Sequence, residues 1–185
     1  SRTVHKAVAA SSMHDVMSMS QAGYVDYGFL GAAQLDPYGN INTTVIGDHD
    51  HPTARLPGSG GANDVGSFSH RTIIIMRQDK RKFVENLDFL TTPGYLDGPG
   101  ARERAGLPAD SGPCRVITQL GVYDFPDATK RMRLIALHPG VAVEDVQSNS
   151  GFEFAIADKL TTSLPPTDEE RRVLREIDPT GLLIK

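Results

Sequence analysis

A cluster of glycines is the strongest chemical signal in the sequence. The segment Pro57-Gly58-Ser59-Gly60-Gly61-Ala62-Asn63-Asp64 has three glycines in four positions, so its backbone can approach a ligand closely and direct N–H groups toward it. A helix that begins near Asn63 or Asp64 would add its positive end, which favours an anion or a developing oxyanion. A tight turn that feeds a capped helix is the alternative interpretation, and the pattern alone leaves both open.

A dinucleotide-binding loop is a further alternative for this segment, because Asp79 follows an apolar stretch about twenty residues later. The spacing is G-x-G-G rather than G-x-G-x-x-G, however, and no apolar strand leads directly into the loop. The segment before Arg71 is also short for the helix that such a site needs. The sequence therefore disfavours a dinucleotide site.

Four other segments carry reactive side chains. Asp48-His49-Asp50-His51 resembles a set of metal ligands, but two histidines two positions apart on a loop cannot complete four-coordinate geometry alone, so we expect a solvated loop and no metal site. The basic segment Arg77–Lys82 indicates a solvated strand end or a contact with a phosphate. We expect Cys114 to be a small buried hydrophobic residue rather than a nucleophile. His138-Pro139-Gly140 is either a site at the carboxyl end of a strand or a rigid turn, and we expect the turn.

Composition limits the possible functions. The chain has 185 residues with 19 Lys and Arg against 23 Asp and Glu, which gives a net charge of −4 and suits one domain over 1–185. A mildly acidic chain offers no basic surface for nucleic acid, and no apolar stretch reaches the ~18 residues of a membrane span. A single cysteine excludes an internal disulfide framework, so we predict a cytoplasmic protein.

Helices and strands both contribute to positioning these residues. Helical spacing predicts helices over Thr3–Met19, Val141–Gln147 and Thr167–Ile177, the last with a capping box. A turn is predicted at Asp36-Pro37-Tyr38-Gly39. Predicted strands are 24–34, 41–46, 71–76, 83–90, 114–118, 121–125 and 133–137. Several are apolar throughout, which predicts an open α/β fold with a largely parallel sheet and flanking helices. We expect the buried strand residues to include Ile73, Ile74, Ile75, Val116, Ile117, Leu134 and Ile135.

Taken together, these segments resemble the β subunits of the family I CoA-transferases, nearest to the branch that acts on glutaconate-like dicarboxylates. The resemblance extends in order over essentially the whole chain. The segments that carry it are Gly31-Ala-Ala-Gln34, Asp36-Pro-Tyr-Gly-Asn-Ile-Asn42, Pro57-Gly-Ser-Gly-Gly-Ala-Asn-Asp64, Lys80-Arg-Lys-Phe-Val-Glu85, Thr92-Pro-Gly-Tyr95, His138-Pro-Gly-Val141, Glu144-Asp-Val146 and Ser150-Gly-Phe152.

The resemblance implies a CoA-transferase-type fold paired with an α subunit, with coenzyme A as a substrate rather than a resident cofactor. Members of the family move CoA between carboxylic acids by a ping-pong route in which a glutamate forms a glutamyl-CoA thioester. Gly61, with Gly60 beside it, corresponds to the oxyanion donor. Asn63 corresponds to a residue against bound CoA, and Gln34 is expected near the same cleft.

The nucleophilic glutamate of the family normally lies in a Glu-(Asn/Ser/Ala)-Gly motif upstream of the helix that opens this chain. No such motif occurs here, and the chain begins with a predicted helix that no strand precedes. We therefore expect the chain to be the C-terminal majority of such a subunit and to be inactive alone. Two alternatives remain: a CoA-thioester decarboxylase or hydrolase of the same fold, and a non-catalytic fragment that binds CoA or a partner.

Overall fold

A computed structural model describes residues 7–108 and 110–181 of the chain. Within them lie five helices and ten strands. The helices are α1 (Met13–Gln21), α2 (Ala62–Phe68), α3 (Ala101–Arg104), α4 (Val143–Ser148) and α5 (Asp168–Ile177). The strands are β1 (Tyr27–Leu30), β2 (Gln34–Leu35), β3 (Ile41–Asn42), β4 (Val45–Gly47), β5 (Pro52–Arg55), β6 (Arg71–Ile75), β7 (Gly112–Ile117), β8 (Gly121–Asp124), β9 (Arg133–Leu137) and β10 (Ala155–Thr162).

Six of these strands form the central sheet, in the order β1-β6-β7-β8-β9-β10. The pairs β1/β6, β6/β7 and β9/β10 are parallel, whereas β8 runs antiparallel to both of its neighbours. Two short antiparallel ribbons, β2/β3 and β4/β5, lie outside it. The prediction of a largely parallel sheet with flanking helices is confirmed, since three of the five pairings are parallel.

The core lies on one face of the sheet. Ile74, Val116, Tyr123 and Leu134 are fully buried there, packed with residues of β2, β3 and α4. The prediction that Ile75 is buried is wrong, because its side chain points to the opposite face and is 52% exposed. The neighbouring Phe29 is 65% exposed on that face too. Ile73, on the same face of β6, is half-buried, so within the described residues this face of the strand is only partly covered.

The first helix is shorter than its sequence pattern predicts. Residues 7–12 are not helical, and the earlier part of the predicted helix lies outside the described residues. Helix α1 begins at Met13 because Ser12 is extended and its hydroxyl accepts a hydrogen bond from the N–H of Asp15. A capping interaction of this kind satisfies an N–H that the helix cannot, which sets the start of the helix.

Two further segments test the sequence interpretation. The predicted strand over 83–90 is wrong: the segment contains only an isolated bridge between Leu35 and Phe83. The predicted capping box of α5 is present, since the Thr167 hydroxyl accepts from the N–H of Glu170 and the Glu170 carboxylate accepts from the N–H of Thr167.

No helix among the described ranges is long and apolar enough to cross a bilayer.

Candidate active site

The glycine loop adopts a conformation that depends on glycine at two positions. Gly58 and Gly60 have φ angles of +91° and +50°, a region that other residues rarely adopt. The loop is held at its start by Thr43, whose carbonyl oxygen accepts from the N–H of Gly58 and whose hydroxyl donates to the Gly58 carbonyl, at 2.9 and 3.0 Å. The loop is therefore fixed against the end of β3 before it enters α2.

Ser59 satisfies the first donors of α2. Its carbonyl oxygen accepts from the N–H of Ala62 at 2.8 Å, and its hydroxyl oxygen accepts from the N–H of Asn63 at 3.2 Å. No acceptor in the part of the chain that the structure describes takes the N–H of Gly60 or Gly61. Gly60 is exposed and Gly61 half-buried, so two adjacent backbone donors are free to meet a ligand.

Gly61 is glycine for a different reason from its neighbours. Its φ is −94°, which any residue can adopt. A Cβ at this position would lie 2.6 Å from Cε and 3.1 Å from Sδ of Met17 in α1. Glycine at position 61 therefore leaves room for the thioether of Met17.

The glycine loop lies at the carboxyl edge of the parallel strands. Helix α2 lies on the connection between the parallel neighbours β1 and β6, and a helix in such a crossover runs antiparallel to its strands. Its N-terminal end is therefore at the edge where β1 and β6 end. Open α/β sheets bind their ligands at this edge.

Asn63 links α2 to the segment that precedes Thr92-Pro-Gly-Tyr95. Its amide Nδ2 donates to the carbonyl oxygen of Thr91 at 3.0 Å. The Thr91 hydroxyl in turn accepts from the N–H of Thr43, at 2.9 Å. Asn63 itself is exposed, and its Oδ1 has only a long contact with the Ser67 hydroxyl at 3.5 Å, so this oxygen can still accept from a ligand. The contact of Asn63 with CoA stays a prediction.

Gln34 occupies a buried position, at 5% exposure. Its Nε2 donates to the Asp88 carboxylate at 2.9 Å, and its Oε1 accepts from Nδ2 of Asn42 at 2.7 Å and from the N–H of Asp88 at 3.1 Å. Both ends of the amide are therefore engaged within the protein. Contact between Gln34 and CoA stays a prediction, and the geometry favours a positioning role through Asn42 and Asp88.

Arg102 is a component of this region that sequence reasoning missed. Its side chain is 2% exposed and donates to the carbonyl oxygens of Gly66 and Ser67 in the last turn of α2. It also donates to the carbonyl of Gly94 at 2.8 Å and to the hydroxyl of Ser111 at 2.8 Å. Burial lowers the pKa of this guanidinium. The composition of the segment 101–104 gives no sign of burial, because it is a charged stretch.

Asp36 is a second missed residue. Its carboxylate accepts from the N–H groups of Tyr38 and Asn40 and from Nδ2 of Asn40. Burial raises the pKa of Asp36 to about 6, against the opposing effect of these hydrogen bonds. Asn40 Oδ1 then accepts from the N–H groups of Gly94 and Leu96, which ties the turn to the segment held by Arg102. The predicted Asp-Pro turn was correct, but its burial was not foreseen.

The other sequence candidates have structural explanations. The Asp48 carboxylate accepts from the N–H groups of Asp50 and His51, which is a loop-stabilising turn. His138 has both ring nitrogens occupied, by the Ser163 hydroxyl and the Thr118 carbonyl. Burial raises the pKa of the Cys114 thiol, which disfavours a thiolate. Over residues 7–108 and 110–181, no group of three or more His, Cys, Asp or Glu side chains could hold a metal ion.

A known protein family matches most of the chain. The sequence model described as "Coenzyme A transferase" matches residues 1–149. The chain is 46% identical over 157 residues to the B subunit of glutaconate CoA-transferase from Acidaminococcus fermentans, covering 85% of this chain and 59% of that protein. The crystal structure of that glutaconate CoA-transferase matches with a TM-score of 0.88 at 40% identity, covering 96% of this chain and 70% of the crystallised chain.

Two further relatives broaden the comparison. The chain is 40% identical over 158 residues to the B subunit of 3-oxoadipate CoA-transferase from Pseudomonas knackmussii, covering 85% of this chain and 60% of the relative. It is 31% identical over 185 residues to the cholesterol ring-cleaving hydrolase IpdB subunit of Rhodococcus jostii, covering 98% of this chain and 66% of the relative. The chain thus spans about 60% of the length of the first two relatives. The family match and these identities show that the chain belongs to the coenzyme A transferase family.

Proposed function

We propose that the chain forms part of a CoA-transferase, as its B-type subunit, and that its glycine loop stabilises the oxyanion of acyl transfer. The observation that carries the proposal is the pair of adjacent N–H groups of Gly60 and Gly61, which no described acceptor takes. Two such donors at the carboxyl edge of the sheet match the requirement for stabilising charge that develops on a carbonyl oxygen. Similarity to the B subunits of two CoA-transferases supports the same conclusion.

The proposed reaction is a double displacement. A glutamate carboxylate adds to the thioester carbonyl and the C–S bond breaks, which gives an acyl–glutamyl anhydride and CoA thiolate. The thiolate adds to the glutamyl carbonyl, which gives the glutamyl-CoA thioester and releases the first acid. The second acid reverses these two steps and leaves as its CoA thioester. Each addition places negative charge on a carbonyl oxygen, and the N–H of Gly61 donates to the oxyanion formed at the glutamyl carbonyl.

The nucleophile is proposed to come from outside this sequence. None of the seven glutamates, Glu85, Glu103, Glu144, Glu153, Glu169, Glu170 and Glu176, stands in the motif that the family uses. Glu85, for example, is exposed and pairs with Arg131 at 3.3 Å. We therefore propose that the chain acts only within the complete enzyme, with an A-type subunit as partner, and that a dicarboxylic acid related to glutaconate is the acyl group. Its cytoplasmic location and its single domain over 1–185 also stay predictions.

Ring-opening hydrolysis of a CoA thioester, in which water breaks a carbon–carbon bond of a cyclic acyl group, is the second candidate. The similarity to the ring-cleaving hydrolase favours it, since the alignment covers 98% of the chain. In that reaction water adds to a ring carbonyl, the adjacent ring C–C bond breaks, and the released carbon takes up a proton, while the thioester stays intact. The oxyanion formed at the ring carbonyl would need the same kind of donors. The lower identity, 31% against 46%, ranks it behind transfer.

One experiment separates these functions. The complete enzyme is incubated with glutaconyl-CoA, with and without acetate, and acetyl-CoA, free CoA thiol and carbon dioxide are measured. Transfer predicts acetyl-CoA only when acetate is present, together with a protein-bound CoA thioester that mass spectrometry or borohydride trapping detects. Free thiol formed without acetate would contradict transfer, and carbon dioxide would favour a decarboxylase. In a parallel incubation with a cyclic acyl-CoA, ring opening with the thioester retained would favour the hydrolase. Binding without turnover would favour the non-catalytic alternative.

A further inference from the structure

We propose that Met17 is a positioning residue for the glycine loop: its side chain holds the N–H donor of Gly61 in place and limits the access of water to that donor. The inference rests on the proposed function. Its first support is the contact itself: the Met17 thioether occupies the space that a side chain at position 61 would need, with Cε at 2.6 Å from the place of a Cβ. Gly58 and Gly60, the two loop glycines with positive φ, have open space at the corresponding position instead.

The helix that carries Met17 is fixed to the helix that begins at the loop. The buried hydroxyls of Ser20 and Ser69 lie 3.3 Å apart, and Nε2 of Gln21 lies 3.5 Å from the Asp64 carboxylate. A Cβ at Gly28 would lie 2.3 Å from Val65, so β1 and α2 are also in close contact. Met17 therefore reaches the loop from a helix with a defined position rather than from a free side chain.

The chemistry of the side chain suits this position. Methionine is unbranched and adapts to irregular gaps, so it can follow the loop when an acyl group binds. Its thioether is a poor hydrogen-bond partner, and it leaves the nearby N–H groups available for an oxyanion. An apolar group beside the N–H of Gly61 lowers the local dielectric, which strengthens the interaction of this donor with developing charge. Excluding water also limits hydrolysis of the reactive acyl intermediates.

Substitution of Met17 in the complete enzyme tests the inference. Met17→Gln keeps the length of the side chain and makes its end polar. We expect the kcat of transfer to fall about tenfold, which is part of the loss caused by removing an oxyanion donor. The KM for the acyl-CoA should not change, and release of CoA in the absence of an acceptor acid should increase. Met17→Leu should retain transfer within about threefold because it stays apolar and similar in volume. Met19→Gln is the matched control, since Met19 is 49% exposed on the same helix.

A double substitution tests the contact directly. Gly61→Ala should lower kcat at least tenfold, because the added methyl group displaces either Met17 or the loop. Met17→Ala in the same protein removes the clash, and we expect at least a threefold recovery over Gly61→Ala. The Tm should follow the same cycle, with a loss on the order of 3 °C for Gly61→Ala that the second change partly restores.

The outcomes decide between the possibilities. If Met17→Gln behaves like Met19→Gln, or if Met17→Ala worsens Gly61→Ala in both kcat and Tm, the inference is overturned. If the wild-type enzyme moves no CoA, the proposed function fails, while the Tm cycle still decides whether Met17 holds the loop. A lower kcat with a normal Tm in Met17→Gln, together with recovery of kcat and Tm in the double variant relative to Gly61→Ala, would support the positioning role.

Discussion

The guanidinium of Arg102 donates from Nη2 to the carbonyl oxygen of Gly66 at 3.2 Å, in the last turn of the helix that starts at the glycine loop. The last carbonyls of a helix have no partner within the helix, so a buried donor at this end stabilises it. Arg102 also holds the carbonyl of Gly94. One buried side chain thus connects the far end of α2 to the segment that reaches back to Asn63 through Thr91.

Arg102→Met should destabilise the protein strongly. The change leaves several buried carbonyl oxygens without a donor, and each unsatisfied buried group costs about 1–3 kcal/mol. We expect the free energy of unfolding to fall by about 3–5 kcal/mol and the Tm by about 10 °C, measured by denaturant and thermal unfolding. The exposed Arg104 offers the control, because Arg104→Met removes only exposed contacts, with the Asp97 carboxylate and the Pro99 carbonyl oxygen, both at 3.4 Å. Equal effects of the two changes would contradict the role of Arg102.

Gly61→Val should abolish most transfer by the complete enzyme. The branched side chain meets Met17 and turns the N–H of Gly61 from the reacting carbonyl, and an oxyanion donor in a dry site supplies about 3 kcal/mol. We expect turnover to fall at least about a hundredfold and the enzyme–CoA thioester to form more slowly. Ala54→Val, which places the same valine side chain at an exposed position of β5, should change neither. Near wild-type transfer by a folded Gly61→Val enzyme would refute the oxyanion role.

Local signals made much of this fold predictable. The apolar segment Arg71–Met76 predicts β6, and the pattern Thr167 with Glu170 predicts the start of α5; both are properties of neighbouring residues. The glycines at 58, 60 and 61 marked the loop for the same reason. Only Gly61, however, owes its identity to a residue 44 positions away, and no local pattern contains that information.

The features that the sequence did not predict depend on long-range contacts. Ile75 belongs to an apolar strand, yet one face of that strand is only partly covered in the described residues, and the spacing of apolar residues cannot reveal this. Arg102 lies in a charged stretch whose burial depends on carbonyls of α2 and of Gly94. Gln34 was expected beside CoA because of its position in a matched segment, but its partners Asn42 and Asp88 are visible only in three dimensions.

Acidification should reveal the buried carboxyl of Asp36. Its pKa is raised to about 6 in the folded protein against 3.8 for the free side chain, so below pH 6 the folded state binds a proton that the unfolded state does not. The contribution of Asp36 to the free energy of unfolding therefore rises as pH falls from 7 to 4, by up to about 3 kcal/mol. Other carboxylates titrate in the same range, so the wild type is compared with Asp36→Asn at each pH.

The comparison isolates this residue because the asparagine cannot titrate. We expect the stability of the wild type relative to Asp36→Asn to increase on acidification from pH 7 to pH 4, in denaturant unfolding. Asp97→Asn, which changes an exposed side chain, should preserve the pH trend of the wild type. A difference between wild type and Asp36→Asn that is constant over this range would contradict the buried, proton-binding carboxyl.

Gln34→Leu and Asn63→Ala should separate a positioning residue from a ligand contact. The leucine is similar in volume but leaves Asn42 Nδ2 and the Asp88 N–H without the acceptor Oε1, so we expect a loss of about 2–4 kcal/mol in the free energy of unfolding. The KM for acyl-CoA in the complete enzyme should change little.

Asn63→Ala removes an exposed amide whose one short hydrogen bond is to Thr91, so it should lower stability by about 1 kcal/mol or less. Because its side-chain oxygen lies beside the glycine loop and is open to a ligand, the same change should raise the KM for acyl-CoA several-fold. A raised KM in Gln34→Leu with unchanged stability would assign the CoA contact to Gln34, and an unchanged KM in Asn63→Ala would remove it from Asn63.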